Sequence, residues 1–446
     1  MNRSFTPFAE KMERAGVNPA AIRAFESSYR LETSNLSGLL SELSIKSVQD
    51  LPQYADIVSE ADPAGDKALL AKTVLLKLNG GLGTGMGLEK AKSLLPVRGE
   101  DTFLDLIVRQ VLAVRKQTGS PLRFVILNSF STSADTLEHL ARYPELGDPK
   151  SLELMQNKVP KIDAATLMPV SWPADPALEW CPPGHGDLYS ALLGSGLLQE
   201  LIDAGFRYLF VSNSDNLGAA LDPSILRWFA ASDRPFLMEV TARTAADRKG
   251  GHLAIRSDDG QLVLRELAQC PEEDLEAFQD ISRHRYFNTN NLWLRLDHLD
   301  EALKANGGLL PLPVIRNQKT VDPRDQKSSA VIQLETAMGA AIECFEGAGA
   351  LAVPRSRFAP VKTTADLLAL RSDAYRITED GRVELAPERN GIPPEIVLGP
   401  SYKLVDQLDA ALEDGIPSLV NCRRLEVRGP VKFSAADCFS GEVVLE

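Results

Sequence analysis

The sequence predicts an α/β fold with a mostly parallel sheet, preceded by a helical segment and followed by a short all-β tail. Three observations carry this. Short apolar runs alternate with helical stretches through the middle of the chain, which places strands in a sheet covered by helices. A glycine-dense loop directly follows the first of those runs. Beyond about residue 380 the pattern changes to alternating apolar and polar residues broken by short turns. The corresponding division is an N-terminal helical segment at 1–66, a main domain at 67–380 and a C-terminal domain at 381–446. A chain of 446 residues with 44% hydrophobic content can build two or three domains.

In the first 70 residues Phe8, Met12 and Ala15 share one helical face, and Ile22, Phe25 and Tyr29 do the same. The Pro/Gly break Glu60–Lys67 (EADPAGDK) reads as the link into the main domain. TVLLKLNGG (73–81) is a strand running into a loop, followed by the helical pattern LEKAKSLLPV (88–97). Further strands are expected at 123–129, 207–215, 235–242, 252–256, 261–267 and 286–296, with helices at 101–117, 133–142, 186–204 and 223–231. The tail at 420–446 reads as stacked strands with room for only a few rungs. Ligands of such sheets bind beyond the carboxyl ends of the strands. NGGLG (79–83) and SNSDN (212–216) each follow a predicted strand at that end.

Composition narrows the function. Against 48 Lys and Arg stand 61 Asp and Glu, a formal net charge of -13. That balance argues against nucleic acid or an anionic membrane surface as the partner, but not against a phosphorylated small molecule met by a local cluster of cations. Cys181, Cys270, Cys344, Cys422 and Cys438 are scattered without a CxxC, which reads as reduced thiols in the cytoplasm rather than a zinc site. Neither a signal-type apolar region at the N-terminus nor a run of ~18 apolar residues is present, so a soluble cytoplasmic protein without a membrane span is expected.

The loop LNGGLGTGMG holds five glycines between Gly80 and Gly87. Backbone N–H groups of such a loop form an anion-binding concavity, and Lys92 downstream can reach phosphates as a point charge. GxGxxG fails in every register, and the phosphate loop GxxxxGK[ST] fails because Ala91 precedes Lys92. In SNSDN, Asp215 sits at a strand's carboxyl end, where one carboxylate plus phosphate oxygens suits magnesium; used structurally, the same residues make an Asn/Asp turn. His185 lies between Gly184 and Gly186, which are expected to clear space around it, whereas His139, His252, His284 and His298 read as structural. Lys319, Lys327, Arg355, Arg357 and Lys362 form a further candidate phosphate constellation, in which Lys327 also reads as a plain solvated surface charge.

Taken together, the motifs LNGGLGTGMG (78–87), KSLLPV (92–97), MQNKVPKI (155–162), PPGHGDLYSAL (182–192), VSNSDNLGA (211–219), FNTNNLWLRL (287–296), VIQLETAMGAAI (331–342) and VPRSRFAPVKTTADL (353–367) resemble the eukaryotic-type (long) UTP–glucose-1-phosphate uridylyltransferase family, also called UDP-glucose pyrophosphorylase. The resemblance runs over about 70–446. It implies a helical N-terminal segment, a central Rossmann-like nucleotidyltransferase domain with a mixed sheet, and a short C-terminal left-handed β-helix. It further implies magnesium-assisted joining of UTP and glucose 1-phosphate into UDP-glucose and pyrophosphate, by a monomer or small homo-oligomer.

Carried over position by position, the resemblance puts the nucleotide on Leu78, Asn79, Gly80 and Gly81, with Lys92 and the catalytic candidate Lys362 at the phosphates. Gln156 meets the uracil edge and Gly184 lies against base or ribose. His185, Asn213 and Gly81 belong to glucose 1-phosphate. Asn288, Asn290, Glu335 and the Lys249–Gly251 loop line the sugar pocket, and Asp215 holds magnesium. Lys90-Ala91 stands where the family's usual run has Gly-Pro, and the role of Lys90 is open. Two other readings remain at this point: a UDP-sugar pyrophosphorylase of broader sugar range, and a non-catalytic UDP-sugar-binding relative.

Overall fold

A computed structural model of the chain describes residues 4–33 and 38–446. They divide into two compact units of discontinuous sequence. The first is Met1–Leu76, Leu154–Val211 and Pro223–Val353; the second is Lys77–Glu153, Ser212–Asp222 and Pro354–Glu446.

The first unit is built on sheet strands that the apolar runs predicted. Strand Phe236–Ala242 is buried at all but its last position, as a strand covered on both faces must be. It runs antiparallel to Tyr286–Arg295 and parallel to Gly349–Ala352. Tyr286–Arg295 also pairs antiparallel with Tyr208–Asn213, where Trp293 stacks on Phe210 at 4.3 Å between ring centroids. A register shift between Glu239 and Val240 bulges this pairing opposite Asn288–Asn291, and Asn290 adopts φ 58° there. The N-terminal helices Thr6–Arg14 and Pro19–Thr33 bury Phe8, Met12, Phe25 and Tyr29 against Val159, Ile162, Ile332 and Leu334.

Strand Thr73–Asn79 carries the chain from the first unit into the second. Helix Phe103–Thr118 begins with a capping box in which Thr102 and Asp105 satisfy each other's backbone N–H groups. Strand Arg123–Asn128 and helix Ser133–Leu140 follow. In the tail, Glu395–Leu398, Ser418–Val427 and Cys438–Leu445 form a parallel three-stranded sheet, the stacking expected of β-helix rungs.

Three local expectations are corrected. Glu60–Lys67 is not a bare link, because helix Pro63–Leu70 starts inside it: Asp62 caps the Gly65 N–H and Pro63 occupies the first turn, where its missing N–H costs nothing. LEKAKSLLPV is not a helix but a 3-10 turn, Lys92–Leu94, and a short strand, Pro96–Arg98. Pro96 forces Leu95 to extended backbone, which stops a helix. The predicted helix at 186–204 is two, Leu188–Gly194 and Leu197–Asp203, broken where Gly196 takes φ 79°. No described helix is long and apolar enough to cross a membrane.

Candidate active site

The second unit gathers the residues expected at the phosphates. Leu78 and Asn79 end strand Thr73–Asn79, and Asn79 is locked by hydrogen bonds from its amide to Asn128 (2.8 Å) and Thr136 (2.9 Å) and from the Ser214 hydroxyl to its oxygen (3.1 Å). The chain then turns through Gly80, whose carbonyl accepts from Ser129 at 2.8 Å, into exposed Gly81. Lys77, a buried lysine one step earlier, donates to the Ser212 hydroxyl (2.7 Å) and the Ala219 carbonyl (2.8 Å). It therefore ties together both ends of the loop that carries Asn213 and Asp215.

Asp215 is the electrostatic centre of this group. Its Oδ2 accepts from Lys92 Nζ and from Lys362 Nζ, each at 2.8 Å. Burial by itself pushes the carboxyl up, but the Lys362 and Lys92 charges outweigh it and hold it below the usual range. Lys92 also donates to the Val361 carbonyl, and the Val361 N–H donates to the Asp215 carbonyl at 3.1 Å, so segments distant in sequence are joined side by side. Lys362 precedes helix Thr364–Arg371, whose capping box uses Thr363 and Asp366; its backbone is thus fixed while its side chain stays 56% exposed. The remaining oxygen, Asp215 Oδ1, is buried and has no hydrogen-bond partner.

The first unit gathers the residues expected at the base and sugar. Gln156 donates to the Gly184 carbonyl at 2.8 Å. His185 Nδ1 accepts the Met338 N–H at 3.0 Å, which puts the proton of the neutral ring on Nε2. The neighbouring Gly339 packs on Asn288: a Cβ there would lie 2.8 Å from the Asn288 amide nitrogen. Asn288 and Asn290 bond reciprocally, Asn290 N–H to Asn288 Oδ1 at 2.9 Å and Asn288 Nδ2 to Asn290 Oδ1 at 3.0 Å, across the bulge. Asn317 holds Glu335 Oε1 at 3.0 Å.

Sequence reasoning misjudged some of these positions. Gly184 and Gly186 do not clear space around His185. Added Cβ atoms would sit 2.5 Å from the Thr336 carbonyl and 2.3 Å from its hydroxyl, so the glycines let two backbones pack in contact, and Gly184 also needs its φ of 83°. Of the candidate phosphate cations, Arg357 is buried beside Asp222 at 3.8 Å and Arg355 lies over the Phe358 ring, whereas the exposure of Lys327 agrees with its reading as a solvated surface charge. Glu266 was missed. Its carboxyl lies against Gly251, all three atoms 2.6 Å from where a Cβ would stand, and burial raises its pKa. An isolated Glu in a strand-and-turn segment gives no sequence signal of this kind.

A sequence model of UTP–glucose-1-phosphate uridylyltransferase matches residues 23–438. The chain belongs to the UTP–glucose-1-phosphate uridylyltransferase family. It is 42% identical over 377 residues to the UTP–glucose-1-phosphate uridylyltransferase of Saccharomyces cerevisiae, covering 84% of this chain and 74% of the yeast protein. To that of Solanum tuberosum it is 41% identical over 389 residues, 86% of this chain and 79% of the relative. A variant of the UDP-glucose pyrophosphorylase of Leishmania major, in complex with UDP-glucose, superposes with a TM-score of 0.94 at 49% identity, covering 100% of this chain and 95% of that one. The uridylyltransferase motifs fall on the strand ends and packed glycines described above.

Proposed function

We propose that this protein transfers the uridylyl group of UTP to glucose 1-phosphate, giving UDP-glucose and pyrophosphate. The observation that carries the reading is Asp215, buried just beyond the carboxyl end of strand Tyr208–Asn213, with two lysine ammonium groups on one oxygen. A phosphate oxygen of glucose 1-phosphate attacks the α-phosphorus of UTP. The new P–O bond forms as the bond to the α,β-bridging oxygen breaks, and the electron pair leaves with pyrophosphate. The attacking phosphate is already ionised at neutral pH, so no general base is required. Lys92 and Lys362 neutralise the charge that develops on the phosphates, and the fixed loop at Leu78–Gly81 positions them.

Gln156 and Gly184 take the base, with Gln156 on the uracil edge. His185 presents its Nε2 proton to the sugar phosphate. Asn288, Asn290, Glu335 and Gly251 face the sugar, and Glu266 joins them as a carboxyl able to bond sugar hydroxyls. Asp215 also fits magnesium, since a buried carboxylate oxygen without a hydrogen-bond partner is what one ligand to a phosphate-bound ion requires. When bound, the ion supplies further neutralisation of phosphate oxygens. The five cysteines are unpaired, which supports a reducing compartment, the cytoplasm.

Pyrophosphate release by the purified protein with UTP and magnesium, across a panel of sugar 1-phosphates, tests the proposal. Release confined to glucose 1-phosphate is the expected result. Equal release with galactose 1-phosphate makes the enzyme a broader UDP-sugar pyrophosphorylase, and silence with every sugar removes the catalytic reading.

A further inference from the structure

We infer that Asn18, at the head of the second N-terminal helix, is a positioning residue for nucleotide-base selection. The inference rests on the reading of Gln156 as the residue that meets the uracil edge.

Gln156 sits in a strip that two hydrogen-bonded pairs pin to the 183–187 strip. One is Gln156 to the Gly184 carbonyl, at 2.8 Å. The other is Asn157 to Asp187: the Asn157 backbone N–H donates to Oδ2 at 2.7 Å and its amide donates to Oδ1 at 2.9 Å. Asp187 is 5% exposed, and Ser190 donates to its Oδ1 at 2.5 Å. The Asn157 side chain can serve Asp187 in one orientation only, nitrogen toward the carboxylate. That orientation is set from the far side by Asn18, whose Nδ2 donates to Asn157 Oδ1 at 2.6 Å.

Asn18 is itself held at both ends. Its Oδ1 accepts the Ala21 N–H at 2.9 Å, capping the helix. Its amide packs flat on Gly194, where a Cβ would come within 2.3 Å of Oδ1. A chain of fixed contacts therefore runs from the helix cap through Asn157 and Asp187 to the backbone that Gln156 grips. Removing the Asn18 donor frees the Asn157 amide to turn over and loosens the register of Gln156. The phosphate-binding residues Lys92, Asp215 and Lys362 have no part in this chain.

Two substitutions isolate the donor from the cap. Asn18→Ser keeps a good capping oxygen but is too short to reach Asn157; Asn18→Asp keeps Oδ1 and replaces the donor with an acceptor. One partly buried hydrogen bond such as this corresponds to roughly a three- to tenfold effect on an equilibrium. We expect the kcat/KM preference for UTP over CTP to fall by about that factor in both variants, through KM for the nucleotide. The kcat with UTP and the thermal midpoint should stay near wild-type. Gln156→Ala is the control. If it loses the preference while both Asn18 variants keep it, the positioning role is overturned. If Gln156→Ala keeps the preference, the base-reading assignment beneath the inference is overturned instead. A fall in thermal midpoint and in rate equal for both nucleotides reduces Asn18 to a helix cap and also overturns the inference.

Discussion

Asp105 and Asp215 are two buried aspartates of the same unit, both held below the usual carboxylate range, and they are built in opposite ways. At Asp105, burial pushes the carboxyl up, and His139, Tyr143 and Thr102 more than compensate. His139 Nε2 meets Oδ1 at 2.7 Å, Tyr143 donates to the same oxygen, and Oδ2 takes the Thr102 backbone N–H at 2.8 Å and hydroxyl at 2.7 Å. Every lone-pair direction is spent on neighbours in one capping box, on helix Ser133–Leu140 and just beyond its end. At Asp215 a single oxygen carries two full positive charges and the other carries nothing. A carboxylate whose partners are complete stabilises a fold. One left half complete in a buried loop, beside cations in excess, is poised for a ligand.

The comparison breaks most visibly at Asp215. Asp215→Asn keeps volume and removes charge, and should lower kcat by a factor on the order of 10²–10³, typical of losing a charged transition-state contact. Its residual rate should no longer rise with added magnesium. An unchanged magnesium titration in this variant would remove Asp215 as the metal ligand. Next comes Lys362→Ala. With its half-exposed side chain on a fixed backbone, Lys362 should matter more to the transition state than to binding: about a 100-fold fall in kcat with KM within about threefold. A variant that loses affinity but keeps turnover would make Lys362 a binding residue only.

Asp105→Asn sharpens the other side. It should cost about 2–3 kcal/mol in urea unfolding, because the Thr102 cap and the His139 and Tyr143 contacts weaken together, while kcat stays within about twofold. The pH dependence has a definite sign. A carboxyl whose folded pKa is depressed contributes stability above its unfolded value, near 3.8, and loses that contribution as pH falls further through the folded value. The wild-type advantage over Asp105→Asn should therefore be full at pH 6 and shrink below about pH 4. Equal stability of the two proteins at neutral pH would show that the completed network is decorative.

How much of this was legible beforehand depended on whether the determining contacts were local. Strands such as Arg123–Asn128, Phe236–Ala242 and Tyr286–Arg295 announce themselves by apolar runs, and the glycine loop and SNSDN by their place after such runs. The pairing of Asp215 with Lys362, 147 residues apart, follows from no spacing rule; each was singled out by its own motif, and neither motif reveals that the two meet. The glycines beside His185 were found but misread, since a sequence does not reveal that Thr336 backbone lies against them. Glu266 was invisible for the same reason: its meaning comes from Gly251, which reaches it through strand pairing. The failed helix at 88–97 is different in kind, because Pro96 was in view and its effect on Leu95 is local.

Lys90 and Lys92 give the smallest and most discriminating test. They are two residues apart in the loop segment, and composition treats them alike. Lys92 has a 12% exposed side chain fixed on Asp215; Lys90 is 73% exposed and its nearest carboxylate oxygen, on Asp135, is 4.0 Å away. An exposed pair at that distance is screened by water and salt and is worth well under about 1 kcal/mol. Lys90→Ala should therefore change stability by less than about 0.5 kcal/mol and kcat/KM for UTP by less than about twofold, at both low and physiological salt. A larger fall confined to low salt would give Lys90 a role in steering the anionic nucleotide toward the loop. A large fall at every salt concentration would mean that Lys90 reaches the phosphates once they are bound, and the contrast between a committed cation and a solvated one would no longer hold.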